Sequence, residues 1–204
     1  MIQKKITTII LDKSLQKYQK LSKILHYIFV EQCNISQDKY YILGSFAIRE
    51  HRTISDLDVN MDCDEFIKLE TAVKNDIGHI EFYNGQIRWT YDLTDEYNKL
   101  TNSNEKDFSI EAFQKNPDVG YPNNNFSLNK LVKNGLDIDE NKHQFFNLKT
   151  LLLWKKTMNR DKDKLDIELI ENILNKKGGR IKKKLLKKTQ KKKKQTKKTQ
   201  SKKI

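Results

Sequence analysis

The sequence predicts an α+β fold in which a small mixed sheet is flanked by helices and followed by a helical pair and a basic tail. Three observations support this prediction. Polar and apolar residues alternate from Asp56 to Val59, which is typical of a strand with one buried face. Asn84-Gly85 separates two further alternating segments, which indicates a hairpin turn. Apolar residues recur at helical spacing near the start of the chain and again over residues 142–174.

The first predicted elements precede the strand that contains Asp56 and Asp58. We expect a short strand at Ile6–Ile10 and then a long helix that Asp12 or Ser14 could cap and that ends near Cys33. An apolar strand follows from Tyr40. The helix has an apolar face formed by Leu15, Tyr18, Leu21, Leu25, Ile28 and Phe29.

Two aspartates, Asp56 and Asp58, carry the strongest chemical signal. A strand sends alternate side chains to one face, so both carboxylates point together while Leu57 and Val59 enter the core. Adjacent carboxylates repel each other unless a cation lies between them. Magnesium takes oxygen ligands and often shares them with substrate phosphates, so the pair predicts metal-assisted phosphoryl transfer. The alternative is a solvated strand end without chemistry.

The segment before this strand favours the chemical interpretation. Gly44 allows the backbone to approach a phosphate closely, and Ser45 with the start of the next helix supplies hydroxyl and N–H donors. Arg49 and Arg52 could brace the β and γ phosphates, because guanidinium groups match such oxygens; a solvated helix face is the alternative for both.

This pattern resembles the signature of the polymerase-beta-type nucleotidyltransferase superfamily: Gly44-Ser45, a spacer of about ten residues, and a strand reading Ser55-Asp56-x-Asp58. His51-Arg52 ahead of that strand is similar to the toxin-type nucleotidyltransferases of abortive-infection systems. Arg49 stands where the superfamily often has a small residue. The resemblance covers residues 20–95 and, with weaker motifs, 145–174.

The resemblance implies a sheet of nucleotidyltransferase type and a site for a nucleoside triphosphate at Gly44, Ser45 and Ser55. It also implies Mg²⁺ (or Mn²⁺) held by Asp56, Asp58 and a third carboxylate on a later strand. The expected chemistry is transfer of a nucleoside monophosphate to a hydroxyl, with an RNA end as the leading acceptor. The same chemistry on a small molecule or a protein, and an inactive member that only binds nucleotide or RNA, are the alternatives.

The third carboxylate is sought on the hairpin that follows an amphipathic helix over residues 64–75. On its second strand, Arg88, Thr90 and Asp92 share the polar face, and Asp92 is the preferred ligand. Glu81 on the first strand is the competitor. Either carboxylate could instead be a cross-strand partner of Arg88.

The remainder of the body is read as a long polar excursion over Thr94–Asn125, with a short helix near Glu111, and then two helices at Lys142–Met158 and Asp161–Leu174. Lys162 lies in a segment that resembles an element of small nucleotidyltransferases, where a basic residue contacts the nucleotide. Residues 1–175 are expected to form one nucleotidyltransferase-like domain, with its core at about 14–95 and C-terminal helices at about 142–174.

The positive net charge of +13 is confined to the end of the chain. Residues 176–204 contain 16 of the 40 basic residues and none of the 27 acidic ones, which leaves 24 basic against 27 acidic in residues 1–175. We expect this Lys-rich tail to be disordered and to bind nucleic acid through its charge, with nuclear targeting or solubilisation as alternatives.

Composition limits the setting of the protein. No apolar run approaches the length of a membrane span, and no leader-like segment follows Met1, so no membrane partner is expected. Cys33 and Cys63 lack metal spacing and suit a reduced compartment. An intracellular location, cytoplasmic or nuclear, is therefore predicted.

Overall fold

A computed structural model of the protein contains helices and a mixed sheet that has seven strands in its described part, which confirms the predicted α+β class. The described residues are 2–54, 56–83, 86–114 and 135–176. Predictions for Ser55, for the Asn84-Gly85 turn and for the tail from residue 177 lie outside them.

The chain divides into two compact units. The first extends to Met158 and contains the whole described sheet. The second begins at Asn159, and its described part is a 3₁₀ turn at Asp161–Asp163 followed by a helix over 164–176. The predicted domain end at residue 175 falls at the edge of the described residues and stays a prediction.

The strands form the order β3-β4-β5-β2-β1-β7-β6. The pairs β2–β5 and β1–β7 are parallel, and the other neighbours are antiparallel. The strand bounds are Tyr40–Ile42 (β1), Asp56–Met61 (β2), His79–Tyr83 (β3), Gln86–Asp92 (β4), Ser109–Gln114 (β5), Leu136–Ile138 (β6) and Gln144–Phe146 (β7).

Helices precede, separate and follow these strands along the chain. Their bounds are Ile2–Leu11 (α1), Lys17–His26 (α2), Cys63–Phe66 (α3), Glu70–Lys74 (α4), Thr94–Thr101 (α5) and Leu148–Met158 (α6), and residues 164–176 are α7. A π-helical turn at Tyr27–Gln32 extends α2, which places its end close to the predicted Cys33. Within the described ranges, every helix is too short or too polar to cross a bilayer.

One face of the three central strands is the main core. Its side chains alternate with polar ones and are buried: Leu57, Val59, Trp89, Tyr91, Ile110 and Ala112. Helix α2 packs on β2 and β5 over this face. Trp89 is fully buried, and its indole Nε1 donates a hydrogen bond of 3.1 Å to the carbonyl of Ile77. Period-two alternation therefore separates an apolar face from a polar one.

The largest correction concerns the first part of Thr94–Asn125, a segment expected to be an excursion with a helix near Glu111; residues 115–125 lie outside the described ranges. The structure instead places α5 at its start and Glu111 in β5, between β4 and β2. Strand β5 forms because Phe108, Ile110 and Ala112 alternate onto the core face. The core of the fold therefore extends beyond the predicted limit near residue 95.

Two further elements differ from the prediction. The expected strand at Ile6–Ile10 is part of helix α1, because Ile2, Ile6, Ile9 and Ile10 follow helical spacing and line one inward face. The expected helix at Lys142–Met158 begins only at Leu148, because Phe145 pairs with Ile42 as part of β7.

A buried polar network joins α2 to β1 and to the β6–β7 connection. The hydroxyl of Ser22 donates to Asp139 Oδ2 at 2.6 Å, and the backbone N–H of His143 donates to Asp139 Oδ1 at 2.8 Å. The hydroxyl of Tyr40 lies 2.7 Å from His143 Nδ1. These partners satisfy groups that would be costly to bury alone.

Burial lowers the pKa of His143 below its usual 6.5, although Asp139, Glu140 and the carbonyl of Ser22 act in the opposite direction. The imidazole is fully buried. At pH values between the lowered pKa of His143 and about 6.5, the unfolded chain therefore binds a proton that the folded protein does not.

We expect the protein to lose stability as the pH falls below about 6.5 toward the lowered pKa of His143, because the unfolded state gains the proton first. His143→Gln should be less stable at neutral pH but should lose less stability than the unmodified protein between about pH 7.5 and about pH 5.5. Urea unfolding at both pH values measures this difference. His51→Gln, which changes an exposed histidine, is the control. An unaltered pH dependence in His143→Gln would contradict the assignment.

Candidate active site

Asp56 and Asp58 lie on the polar face of the central strand β2, as the sequence predicts. Asp56 is exposed and Asp58 is half-buried, whereas Leu57 and Val59 are fully buried. The two carboxylates are therefore on one face of the sheet.

Gly44 brings the backbone against Asp58. It follows β1, opens a 3₁₀ turn at Gly44–Ile48, and has a φ of +64°, which side-chain-bearing residues rarely adopt. A Cβ at this position would lie 3.1 Å from Asp58 Oδ2. The backbone N–H of Leu43 donates to the carbonyl of Asp58 at 2.7 Å. Ser45 is half-buried in the same turn.

The sheet register sets two polar rows beside this glycine. In the first row, Asp56 is opposite Ser109 of β5, and Ser109 is opposite Asp92 of β4. Residues opposite each other in adjacent strands point to the same face, so Asp56 and Asp92 share it.

The second row contains a residue that the sequence interpretation missed. Asp58 is opposite Glu111, which is opposite Thr90. Glu111 lies on the strand next to Asp58, about 5 Å away across the sheet, whereas Asp92 lies two strands from β2, about 10 Å away. The alternation of Phe108, Ile110 and Ala112 around Glu111 is the signal that could have found it.

Arg88 neutralises Glu111. Its Nη1 lies 3.0 and 3.1 Å from the two carboxylate oxygens, and its Nε donates to Glu81 Oε1 at 3.1 Å. Glu81 lies three strands from β2 and is opposite Arg88, as the cross-strand alternative anticipated. The guanidinium of Arg88 holds the pKa of Glu81 below its usual range.

Asp92 belongs to a cluster of carboxylates at the strand ends. Its Oδ1 accepts a hydrogen bond of 2.9 Å from the backbone N–H of Thr94 at the start of α5. Burial raises the pKa of the nearby Asp107, and the charges of Asp56 and Asp92 raise it further, against the opposing effects of Ser109 and Lys17. Mutual repulsion at this edge favours a bound cation.

The donor set suits a hard divalent ion, but the side chains do not yet converge. Among the described residues, no group of three or more His, Cys, Asp or Glu side chains is arranged to hold a metal. Asp56 and Asp58 offer two carboxylates on one face, and Glu111 is in register on the adjacent strand. Glu111 would serve as a third ligand if its side chain rotated so that one carboxylate oxygen bound the metal and the other stayed with Arg88. This rotation would need no change of the backbone.

Arg49 and Arg52 lie beyond the far end of the Gly44 turn. They line a cavity of about 320 Å³ with Lys17 and Tyr18, at the start of α2. The guanidinium carbon of Arg49 lies 4.5 Å from the ring centroids of both Phe46 and Phe145. Its Nη1 donates a hydrogen bond of 3.1 Å to the carbonyl of Phe46, whereas its Nε is buried without a hydrogen-bond partner in the described part of the chain. The group is therefore held by two aromatic rings and one backbone carbonyl.

Lys162 belongs to the second unit. It is exposed in the 3₁₀ turn at Asp161–Asp163. In the same unit, Arg160 Nε donates to Asp163 Oδ2 at 2.6 Å, which fixes the start of the helix that follows. The predicted phosphate contact of Lys162 stays a prediction.

Comparison of the chain with protein-family models, with curated proteins and with solved structures finds no match. The resemblance to nucleotidyltransferases therefore rests on the motif residues and on their arrangement alone.

We expect Glu111→Gln to weaken Mn²⁺ binding at least about tenfold, because it removes the carboxylate nearest to Asp58. Asp92→Asn should have a smaller effect, since its carboxylate starts two strands away and caps α5. Binding is measured by electron paramagnetic resonance of free Mn²⁺, with exposed Asp64→Asn as the control. A larger loss of Mn²⁺ affinity for Asp92→Asn than for Glu111→Gln would instead support Asp92 as the third metal ligand.

Proposed function

We propose that the protein is a metal-dependent nucleotidyltransferase that moves a nucleoside monophosphate from a nucleoside triphosphate to a hydroxyl acceptor and releases pyrophosphate. One observation carries the proposal: a glycine in the left-handed region lies against the carboxylate of Asp58, with Asp56 on the same face. Gly44 itself is buried against Asp58, so a phosphate at the Gly44 turn would lie near two carboxylates that can share a metal with it.

The chain's own residues would bind and orient the triphosphate. Backbone N–H groups of the Gly44 turn and the hydroxyl of Ser45 would donate to phosphate oxygens, and Ser55 is a further predicted donor. Arg49 and Arg52 would contact the outer phosphates, because both line the cavity at the start of α2. Lys162 is the remaining predicted phosphate contact.

In the proposed reaction, the acceptor oxygen forms a bond to the α phosphorus while the bond from that phosphorus to the bridging oxygen breaks. The bond's electron pair leaves with pyrophosphate. The acceptor proton would pass to a carboxylate on the same face of the sheet, either the predicted Asp92 or Glu111. Asp56 and Asp58 would hold Mg²⁺ (or Mn²⁺), which when bound supplies charge neutralisation and makes the hydroxyl more acidic.

We expect Asp56→Asn and Asp58→Asn each to reduce Mg²⁺-dependent pyrophosphate release at least about a thousandfold, because loss of a metal ligand removes several kcal/mol of transition-state stabilisation. Release is measured with each of the four common nucleoside triphosphates and a mixture of RNA acceptors. Asp64→Asn is the matched control, and circular dichroism verifies folding. Turnover unchanged in either site variant would exclude the proposed mechanism.

The acceptor is proposed to be an RNA end. This part of the proposal is supported by the charge of residues 176–204, which contain 16 basic and no acidic residues. Such a segment binds polyanions by releasing counterions and without reading their sequence.

Deletion of residues 177–204 should weaken RNA retention at low salt while turnover on a short acceptor stays within about twofold, because the tail would only raise the local RNA concentration. Retention is measured by filter binding at several salt concentrations, and the transferred nucleotide is followed with a radioactive label. Label that enters protein or small solutes but not RNA would favour the alternative acceptors. Equal retention by both proteins would remove the tail from RNA binding.

A further inference from the structure

The edge strand β3 exposes an apolar surface that the described residues of the first unit leave open. Phe82 is 76% exposed, and Ile80 and Ile87 are 38% and 39% exposed. Phe82 is opposite Ile87, and Ile80 is opposite Trp89, so these side chains share the face that is buried further along the sheet. Strand β3 is the last strand at this end of the described sheet.

Strand β3 also lacks two of the residue types that usually protect a sheet edge. Natural edge strands carry lysines, prolines or bulges that prevent pairing with another chain. The chain has 40 basic residues in 204, yet His79–Tyr83 contains neither lysine nor proline. An unprotected apolar edge in such a lysine-rich chain indicates that the edge is normally covered.

We propose that β3 pairs with β3 of a second copy of the chain, antiparallel and around a two-fold axis at Glu81. This register pairs the whole strand, with His79 opposite the partner's Tyr83 and Ile80 opposite the partner's Phe82. The apolar side chains of β3 and β4, which include Ile80, Phe82 and Ile87, then form one continuous face with those of the second copy. A strand that matches itself in this way favours a symmetric dimer.

The charges of the edge suit this register. The two Glu81 carboxylates face each other on the polar face, and each is already paired with its own Arg88, whose Nε lies 3.1 Å away. His79 Nε2 lies 3.8 Å from the same carboxylate. The like charges that usually oppose such a pairing are therefore compensated within each copy.

The area available suits a weak, concentration-dependent dimer. Phe82 is 76% exposed and Tyr83 is 44% exposed, so burying what remains open of both residues in two copies removes at most about 360–600 Å² of surface from water. With Ile80, Ile87 and the paired backbones, the interface stays at or below about 1,000 Å², the size of weak and transient interfaces. This association does not require the proposed chemistry and can be tested without it, because the edge strand lies three strands from β2.

The first test is sedimentation velocity of the full chain from about 1 to about 100 µM. We expect a monomer–dimer equilibrium and a dissociation constant at least about tenfold higher for Phe82→Lys. Ile138→Lys is the matched control, because Ile138 is 66% exposed on β6, at the opposite edge. A monomer throughout this range, or a dimer that Phe82→Lys does not weaken, overturns the proposal.

The second test fixes the register. In a Cys63→Ser background, Glu81→Cys should form a disulfide-linked dimer on mild oxidation, because opposed residues have Cα atoms about 4.5–5.5 Å apart, within disulfide reach. His79→Cys should not do so, since the two His79 positions would be separated by about 14 Å along the strands. Cross-linking of Glu81→Cys that is no greater than that of His79→Cys overturns the register and the two-fold axis with it.

Discussion

The parallel pairing of β2 with β5 is the constraint on which the rest of the sheet depends. It places Leu57 beside Ile110 and Val59 beside Ala112 in the core, and the same register aligns Asp58 with Glu111 on the other face. Packing and chemistry are therefore fixed together, because a shift of one residue would move carboxylates into the core. Strand β4 continues both faces, with Trp89 and Tyr91 buried on the apolar one.

The carboxylates of the polar face and of the connection before β5 are paired with basic side chains of β4 and α2. Arg88 binds Glu111 and Glu81, so one guanidinium connects the candidate site to the edge of the sheet. Lys17 forms an ion pair of 3.0 Å with Glu105 and lowers the repulsion around Asp107. Arg49 differs from both, since aromatic rings hold it and no carboxylate pairs with it among the described residues. Basic side chains therefore lie close to these carboxylates and compensate part of their negative charge.

The sequence predicts the local parts of this arrangement better than the distant ones. The alternation of Asp56 and Asp58, the β3–β4 hairpin and the long helix α2 follow from periodicity over neighbouring residues, and the structure contains them. The role of Glu111 depends on which strand lies beside β2, and that choice is made by packing across the core rather than by nearby residues. Helix α1 is not predicted because the five isoleucines and threonines of Ile6–Ile10 fit both the strand period and the helix period. Only Ile2, four residues before Ile6, favours the helix.

The amino terminus is structurally connected to the candidate site. Helix α1 buries Ile6 and Ile10 fully, and Gln3 accepts a hydrogen bond of 3.4 Å from the hydroxyl of Tyr91, next to Asp92. The hydroxyl of Thr7 donates to Glu96 of α5 at 3.3 Å. Removal of residues 2–11 would therefore open part of the core and break two hydrogen bonds that reach β4 and α5, which would change the surroundings of Asp92 without altering the carboxylate itself.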